Sequence, residues 1–233
     1  MELTQSQAYA ERGLGAEAVA GLSTFGDLLR GAAFNVTSIR EPEAIERFHF
    51  LDSLALLDLA PVRAGQRFAD LGSGAGLPAL VLAIALPFSR VTAVESQHKK
   101  CRFIEQAANA MGLRNVDVRC ERVEDYGRKV GRQAHDVVVS RALAALSVVA
   151  EFSLPLLERG GAMIAMKGAI SDQERIQAEK ALAILGGGGL ESVKLEPFAG
   201  AENRWVYLAR KERVTPPSFP RQAGTAARRP LGA

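Results

Sequence analysis

The sequence predicts an α/β fold: a seven-stranded, mostly parallel sheet with helices on both faces, preceded by an N-terminal helical cap. Three observations carry this expectation. From Arg67 onward, short apolar runs alternate with longer amphipathic stretches, the pattern of strands joined by crossover helices. Val137-Val138-Val139 is a β-branched run of the kind buried on both faces in the middle of a parallel sheet. The last two strand-like segments are separated only by Phe198 to Asn203, short enough for a hairpin, so one of them runs antiparallel. The 233 residues, 48% hydrophobic and 24% charged, supply a sizeable core. They divide into a cap at 1–62, the sheet domain at 63–211 and a basic tail at 212–233.

Residues 16–31 place Val19, Leu22, Phe25, Leu28 and Leu29 at helical spacing. A second helix starts after Arg40, where Glu41-Pro42-Glu43 puts a proline and two acids in a first turn. Its apolar positions run through Ile45, Phe48, Leu51 and Leu54 to Leu57, and Pro61 ends it. Strands are expected near 67–71, 90–95, 115–120, 134–140, 161–166, 190–197 and 204–210, with helices near 77–86, 97–111, 143–157 and 171–185. Four glycines at 186–189 mark the turn into the final pair. Beyond Lys211 the chain is rich in proline, glycine and arginine without periodicity, and no secondary structure is assigned to it.

The opening heptapeptide, Met1 to Gln7, has neither the basic nor the apolar region of a secretory signal. No charge falls between Asp70 and Arg90, nearly the length of a membrane span, but three glycines, two serines and Pro78 and Pro87 interrupt it. A buried loop plus helix fits better. Cys101 and Cys120 lack metal-type spacing and make no disulfide framework; both read as core residues of a protein in a reducing, cytoplasmic compartment. The three histidines, His49, His98 and His135, are scattered, so no metal is expected.

Net charge is +3, unevenly placed. From Arg210 to the end, six basic residues face Glu212 alone, a balance of +5 that leaves −2 for the rest. The segment 99–132 carries nine Lys/Arg against five Asp/Glu. A basic tail on a neutral body points to an anionic partner, nucleic acid first, with a solvated terminus as the alternative.

The most informative segment is Asp70-Leu71-Gly72-Ser73-Gly74-Ala75-Gly76-Leu77, between the first strand and the following helix. Glycines there let the backbone turn tightly and approach a ligand closely. Glu95 follows at the end of the next strand, where a carboxylate accepts hydrogen bonds from ribose hydroxyls. The dinucleotide fingerprint would need a third glycine where Leu77 stands. The G-x-G-x-G spacing after Asp70 instead resembles the first motif of class I S-adenosylmethionine methyltransferases. That donor carries no phosphate, and no basic residue lies at the loop. After the third strand, Val123 and Glu124 stand where such folds hold adenine; a helix start with acids favouring its dipole is the other reading.

Absent motifs narrow the chemistry. Exocyclic amine methylation calls for an Asn/Asp-Pro-Pro-aromatic sequence after the fourth strand, where this chain reads Ser140-Arg141-Ala142-Leu143. Pyrimidine C5 methylation needs a cysteine nucleophile at a strand end, which neither cysteine supplies. Guanine N7 already presents a lone pair, so alignment and electrostatics suffice. No catalytic residue is named. At this level a methyltransferase for a small molecule or protein, and a non-catalytic RNA-binding or nucleotide-sensing module, remain open.

The chain resembles the RsmG family (also called GidB), bacterial small-subunit rRNA guanine-N7 methyltransferases. The residues that carry the resemblance are Asn35 to Arg40, His49 with Asp52-Ser53-Leu54, Asp70 to Pro78, Arg122-Val123-Glu124, Ser140-Arg141-Ala142 and Lys167-Gly168. In the tail they are Thr215-Pro216, Phe219-Pro220-Arg221, Gly224 and Pro230-Leu231. The resemblance implies S-adenosylmethionine as cofactor, with contacts at Gly72, Leu77, Val123, Glu124 and Arg141, to which the glycine loop and the acid after the second strand add Gly74 and Glu95. Glu95 departs from a fixed pattern, standing before the polar run Ser96-Gln97-His98-Lys99-Lys100. The implied target is N7 of guanine 527, in the decoding-region loop of 16S rRNA. Lys167, Arg221, Arg228 and Arg229 are the candidates for RNA contact, and a monomer acting on the 30S subunit is expected. His49 and Asp52, three apart on a helix, face the cleft or simply pair with each other. Trp205 and Phe198 read as core.

Overall fold

The computed structural model describes residues 1–233. Seven strands form one sheet: β1 (Arg67–Leu71), β2 (Arg90–Glu95), β3 (Val116–Cys120), β4 (His135–Arg141), β5 (Leu157–Lys167), β6 (Glu191–Lys194) and β7 (Trp205–Arg210). Their spatial order is β3-β2-β1-β4-β5-β7-β6. Only β7 runs against the others, paired antiparallel to both β5 and β6. The chain builds outward from β1 to β3, then returns to lay β4 on β1's other side. This reversal opens a crevice at the carboxyl ends of the central strands. Register fixes what lines it: Leu71 pairs with Val94 on one side and Ser140 on the other, and Arg141 pairs with Met166. Gly72, Glu95, Arg141 and Lys167 therefore leave the sheet along one edge.

Strand alternation divides the core into two faces. Phe68, Val137, Val139 and Ile164 pack on one side, while Leu71, Val138 and Met163 pack on the other. The first face is covered by α5 (Ala79–Ala85), α6 (His98–Ala110) and the N-terminal cap, the second by α8 (Leu146–Ser153) and α9 (Asp172–Leu185). α7 (Val123–Gly127) is a short helix directly after β3. Most helices are trimmed by a residue or more from their expected spans, and α8 by more, because Ala142 to Ala145 form a loop rather than a first turn. No helix is long and apolar enough to cross a membrane.

In the cap, α1 (Ser6–Glu11) precedes α2 (Ala16–Gly31), which buries Leu22, Phe25 and Leu29. The next helix is not regular: α3 (Pro42–Ile45) leads into a π-helical turn (Glu46–Leu51), then α4 (Asp52–Leu54) and a 3-10 turn (Ala55–Asp58). Glu46 is 1% exposed yet fully partnered, accepting from Thr4 N, Gln5 N and Tyr9 Oη, each at 2.9 Å. That carboxylate docks α1, an element with no clear apolar periodicity of its own. Phe25 stacks on Phe50 at 5.8 Å, joining the cap to the same core as the sheet.

Three expectations are corrected here. The tail is not unstructured. It folds back along the sheet domain, held by Arg132, whose guanidinium donates to Thr215 O and Phe219 O, and by Arg128 Nε donating to Pro220 O at 2.9 Å. It ends in α10 (Thr225–Arg228). Lys211, counted with the tail's charge, is 1% exposed and donates to Leu157 O at 2.7 Å. Finally, Cys101 on α6 and Cys120 at the end of β3 form a disulfide, their Cα atoms 5.8 Å apart. Antiparallel packing of α6 over the β2–β3 edge brings together two residues 19 apart that spacing alone leaves unpaired.

Candidate active site

The loop after β1 adopts its shape through glycine. Gly72 and Gly74 have φ of +67° and +59°, the left-handed region that side chains disfavour. The chain can then curl over the β2 end, where Gly72 N donates to Val94 O at 2.8 Å. A Cβ on Gly72 would also stand 2.6 Å from Leu143 Cδ1, a side chain that lines the cavity beside the loop. Beneath the loop, Asp70 is 1% exposed. Its Oδ2 accepts from Ala79 N at 3.1 Å, and its Oδ1 is buried without a partner. Burial pushes this carboxyl up to about 6, opposed by the Ala79 N–H and by Arg141 nearby.

Glu95 ties the loop to β2. Its Oε2 accepts from Gly74 N at 3.0 Å, and its Oε1 from Ser96 N and Gln97 N at 2.8 and 2.9 Å. Two lone pairs on Oε1 are thus engaged, while Oε2 keeps one for a hydroxyl. Glu124, in the first turn of α7, accepts from Gly224 N at 2.7 Å through Oε1. The N–H of Val123 opens that helix and has no intrahelical acceptor.

These groups line one cavity of about 660 Å³. Gly72, Gly74, Glu95, Val123 and Glu124 meet there as expected from sequence, with Leu143 and Ala144 forming the far wall. Leu77 does not reach it: the side chain is 4% exposed in the core below the loop, and its N–H is spent on Ser73 O at 3.0 Å. Ala223, Gly224 and Arg228 also line the cavity. The sequence reading missed Gly224 and Arg228 as walls of this cavity. The only signal was the tail's family-like Pro-Arg and Gly positions.

A second cavity of about 580 Å³ opens beside the first, beyond the β4 end. Arg141 belongs to this one, together with Phe48, His49, Asp52, Lys167 and Arg204. Its Nη1 donates to Phe48 O at 3.3 Å and lies 3.8 Å from Asp52 Oδ2. Asp52 also meets Arg204 Nε at 3.0 Å. Lys167, in the lining of the second cavity, reaches the wall of the first: its Nζ donates to Ala144 O at 3.0 Å and pairs with Glu174 at 3.0 Å. His49 and Asp52 do not pair with each other. His49 Nε2 lies 2.8 Å from Thr37 Oγ1, and burial followed by Arg141 lowers its pKa to about 4, leaving the ring neutral. Trp205 lines this cavity, whereas Phe198 packs edge-on against Phe48 at 5.3 Å.

Of the basic residues expected to face RNA, Arg221 is committed elsewhere. Its guanidinium grips Glu151, which is 1% exposed, with Nε donating to Oε1 at 2.8 Å. Arg228 and Arg229 remain exposed.

Residues 22–197 match the family model described as rRNA small subunit methyltransferase G, GidB. Curated relatives named "Ribosomal RNA small subunit methyltransferase G" include one from Rubrobacter xylanophilus, 43% identical over 84% of this chain and 77% of its own length. Another, from Symbiobacterium thermophilum, is 40% identical over 88% of this chain and 87% of its own. Among solved structures, an S-adenosylmethionine-dependent O-methyltransferase of Thermotoga maritima aligns with a TM-score of 0.55 at 15% identity, covering 82% of this chain and 72% of that one. Archaeal fibrillarin from Aeropyrum pernix, holding natively bound S-adenosyl-L-methionine, aligns at 0.51 with 22% identity over 66% of this chain and 72% of its own. These likenesses show the class I methyltransferase fold. The glycine loop, its orphaned acid and the matched family model converge: the chain belongs to the GidB family, the rRNA small subunit methyltransferases G, and is an S-adenosylmethionine-dependent rRNA methyltransferase.

Proposed function

We propose that this enzyme methylates N7 of guanine 527 in 16S rRNA, acting on the 30S subunit as a monomer. The observation that carries the reading is a cofactor-sized cavity beside a second, cation-rimmed cavity whose lining offers no nucleophile and no proline-flanked amide. Guanine N7 needs neither, since its lone pair is already free to attack.

The residues at the first cavity fit the cofactor. Asp70, beneath the glycine loop and outside the cavity lining, suits the cationic methionine end by its charge, its Oδ1 being buried and unpartnered. Glu95 Oε2 suits a ribose hydroxyl, and Val123 N–H with Glu124 suits adenine. When bound, S-adenosylmethionine supplies a sulfonium methyl group that passes to the lone pair of the target nitrogen, the C–S bond electrons returning to sulfur. Arg141 spans the junction, its charge acting on both Asp70 and Asp52. Lys167 braces the Ala142–Ala145 loop through Ala144 O, keeping the wall between the cavities in place. RNA phosphates are met by Lys167, Arg228 and Arg229, and by the exposed cations Lys99, Arg102 and Arg122.

The test is methyl transfer from labelled S-adenosylmethionine to unmodified 30S subunits and to naked 16S rRNA, with the product mapped by cleavage at N7-methylguanine. One modified guanine in the decoding-region loop is expected. Tight cofactor binding with no transfer to either substrate would overturn the reading and return the enzyme to another acceptor.

A further inference from the structure

Within the second cavity the charges are unusual in a way that the methyl-transfer reading leaves unused. Asp52 is the one carboxylate among its thirteen lining residues and is 7% exposed. Arg204 Nε comes within 3.0 Å of Asp52 Oδ1, but the two are misaligned for a hydrogen bond, and each is buried without a hydrogen-bond partner. Arg141 stands 3.8 Å from the other oxygen, too far to satisfy it. A buried carboxylate with unused lone pairs beside an open cavity is an acceptor waiting for N–H donors.

Resting on the guanine reading above, we propose that Asp52 is the specificity-determining residue for the target base, accepting from the N1–H and the 2-amino group of guanine. Those two donors lie side by side on the Watson–Crick edge, where Oδ2, with two lone pairs and no hydrogen-bond partner, can accept from both while Oδ1 stays enclosed beside Arg204. No other common base presents that pair: adenine, cytosine and uracil each place at least one acceptor there. The edge is opposite N7, so a base whose N7 faces the cofactor cavity turns its donors toward the helical cap that carries Asp52. Phe48, 37% exposed on the turn before Asp52, provides a flat apolar wall for the ring.

The arrangement also answers an electrostatic objection. Methylation at N7 leaves the base positively charged, so uncompensated arginines beside it would oppose the reaction. Here Arg141 and Arg204 are offset by Asp52 and, across the β4 end, Asp70. Asp52 against N1–H meets the growing positive charge with a negative one. Burial raises the Asp52 carboxyl above its ordinary range while the two arginines pull it down; two N–H donors from the base favour the ionised form further.

The experiment compares 16S rRNA, ligated and reconstituted into 30S particles, with guanine or inosine at the methylated position. Inosine keeps N7 and N1–H and lacks only the 2-amino group. Wild-type enzyme should lose roughly ten- to a hundredfold in kcat/KM on inosine, the net worth of one hydrogen bond to a charged acceptor. In Asp52→Ala and Asp52→Asn the rate on guanine should fall, and the guanine-to-inosine ratio should drop toward one. Cofactor affinity and thermal unfolding, measured on the same variants, report folding separately, and the wild-type arm stands without them. Equal wild-type rates on guanine and inosine would overturn the proposal. So would variants that lower both rates alike with the ratio kept, since Asp52 would then only tether its arginines. Failure of wild-type enzyme to modify any guanine N7 would instead overturn the function proposed above.

Discussion

Asp70 and Lys211 show how single buried charges translate into pH dependence. Asp70 is held up at about 6 chiefly by burial, with one oxygen buried and unpartnered beneath the glycine loop. A cationic ligand favours its ionised form, so binding should weaken as pH falls through about 6, where the acid must first lose its proton. Calorimetry from pH 5 to 8 should show that fall in wild type, with Asp70→Asn weaker throughout and flat; an unchanged slope in the variant would remove Asp70 from the cofactor site. Lys211 works in the other direction. Burial lowers it from 10.5 to about 8, so the folded state sheds a proton that the unfolded chain still holds. Its contribution to stability is therefore a deficit below about 8 that is relieved as pH rises toward 10.5. Against Lys211→Met, wild type should gain relative stability across that window in denaturant titrations; a constant difference would mean that the ammonium is not desolvated. Gly72 is a third case. At φ +67°, with Leu143 in the path of any Cβ, Gly72→Val should abolish measurable cofactor binding while the rest of the fold survives.

At the scale of elements, legibility in the sequence tracked whether an element declares itself locally. The β-branched run of β4 and the apolar stripe of α2 do so, and both lie where periodicity places them. The segments that periodicity missed are held by distant partners. α1 is docked by Glu46 through Tyr9, and the tail by Arg128, Arg132 and Glu151, all far away in sequence. Irregular backbone whose hydrogen bonds go to remote side chains leaves no pattern in its own residues. The same reason explains the site: Gly72 and Gly74 were legible as a glycine loop after a strand, Glu95 as a strand end and Val123 and Glu124 as a helix start, while the tail's part in the cavity was not. This makes the tail a testable element. Arg221→Met would leave Glu151 buried and uncompensated, at a cost of about 3 kcal/mol. That corresponds to roughly a 10 °C drop in unfolding temperature for a chain of this size. Because Gly224 and Arg228 wall the cofactor cavity, affinity should fall by about tenfold, on the order of 1.4 kcal/mol. Adding Glu151→Met should restore most of the stability. If Arg221→Met melts like wild type, the tail is not anchored by this pair.

For the whole molecule, modest net charge conceals a directional one. A formal balance of +3 would not mark an RNA-binding protein. The structure removes Lys211 and Arg221 from the available charge, since one is buried and the other holds Glu151. What remains exposed is Arg228 and Arg122 in the lining of that cavity, with Arg229 next to the first and Lys99 and Arg102 near the cavity-lining Lys100 at the start of α6. A cationic rim around a cavity that itself holds three acids, Glu95, Glu121 and Glu124, separates two kinds of binding. Cofactor binding is internal and shielded, so it should respond weakly to salt. RNA engagement works through phosphates and releases counterions, so kcat/KM on 30S subunits should fall steeply between low and moderate salt, with the logarithmic slope reporting the number of phosphates met. Replacing Arg102 and Arg229, exposed cations outside the cavity lining, by alanine should lower the rate on every rRNA substrate in proportion and flatten that slope by about one unit per lost contact. Rates independent of salt, with cofactor affinity also constant, would mean that the rim does not engage phosphate and that the substrate enters by shape and base contacts alone.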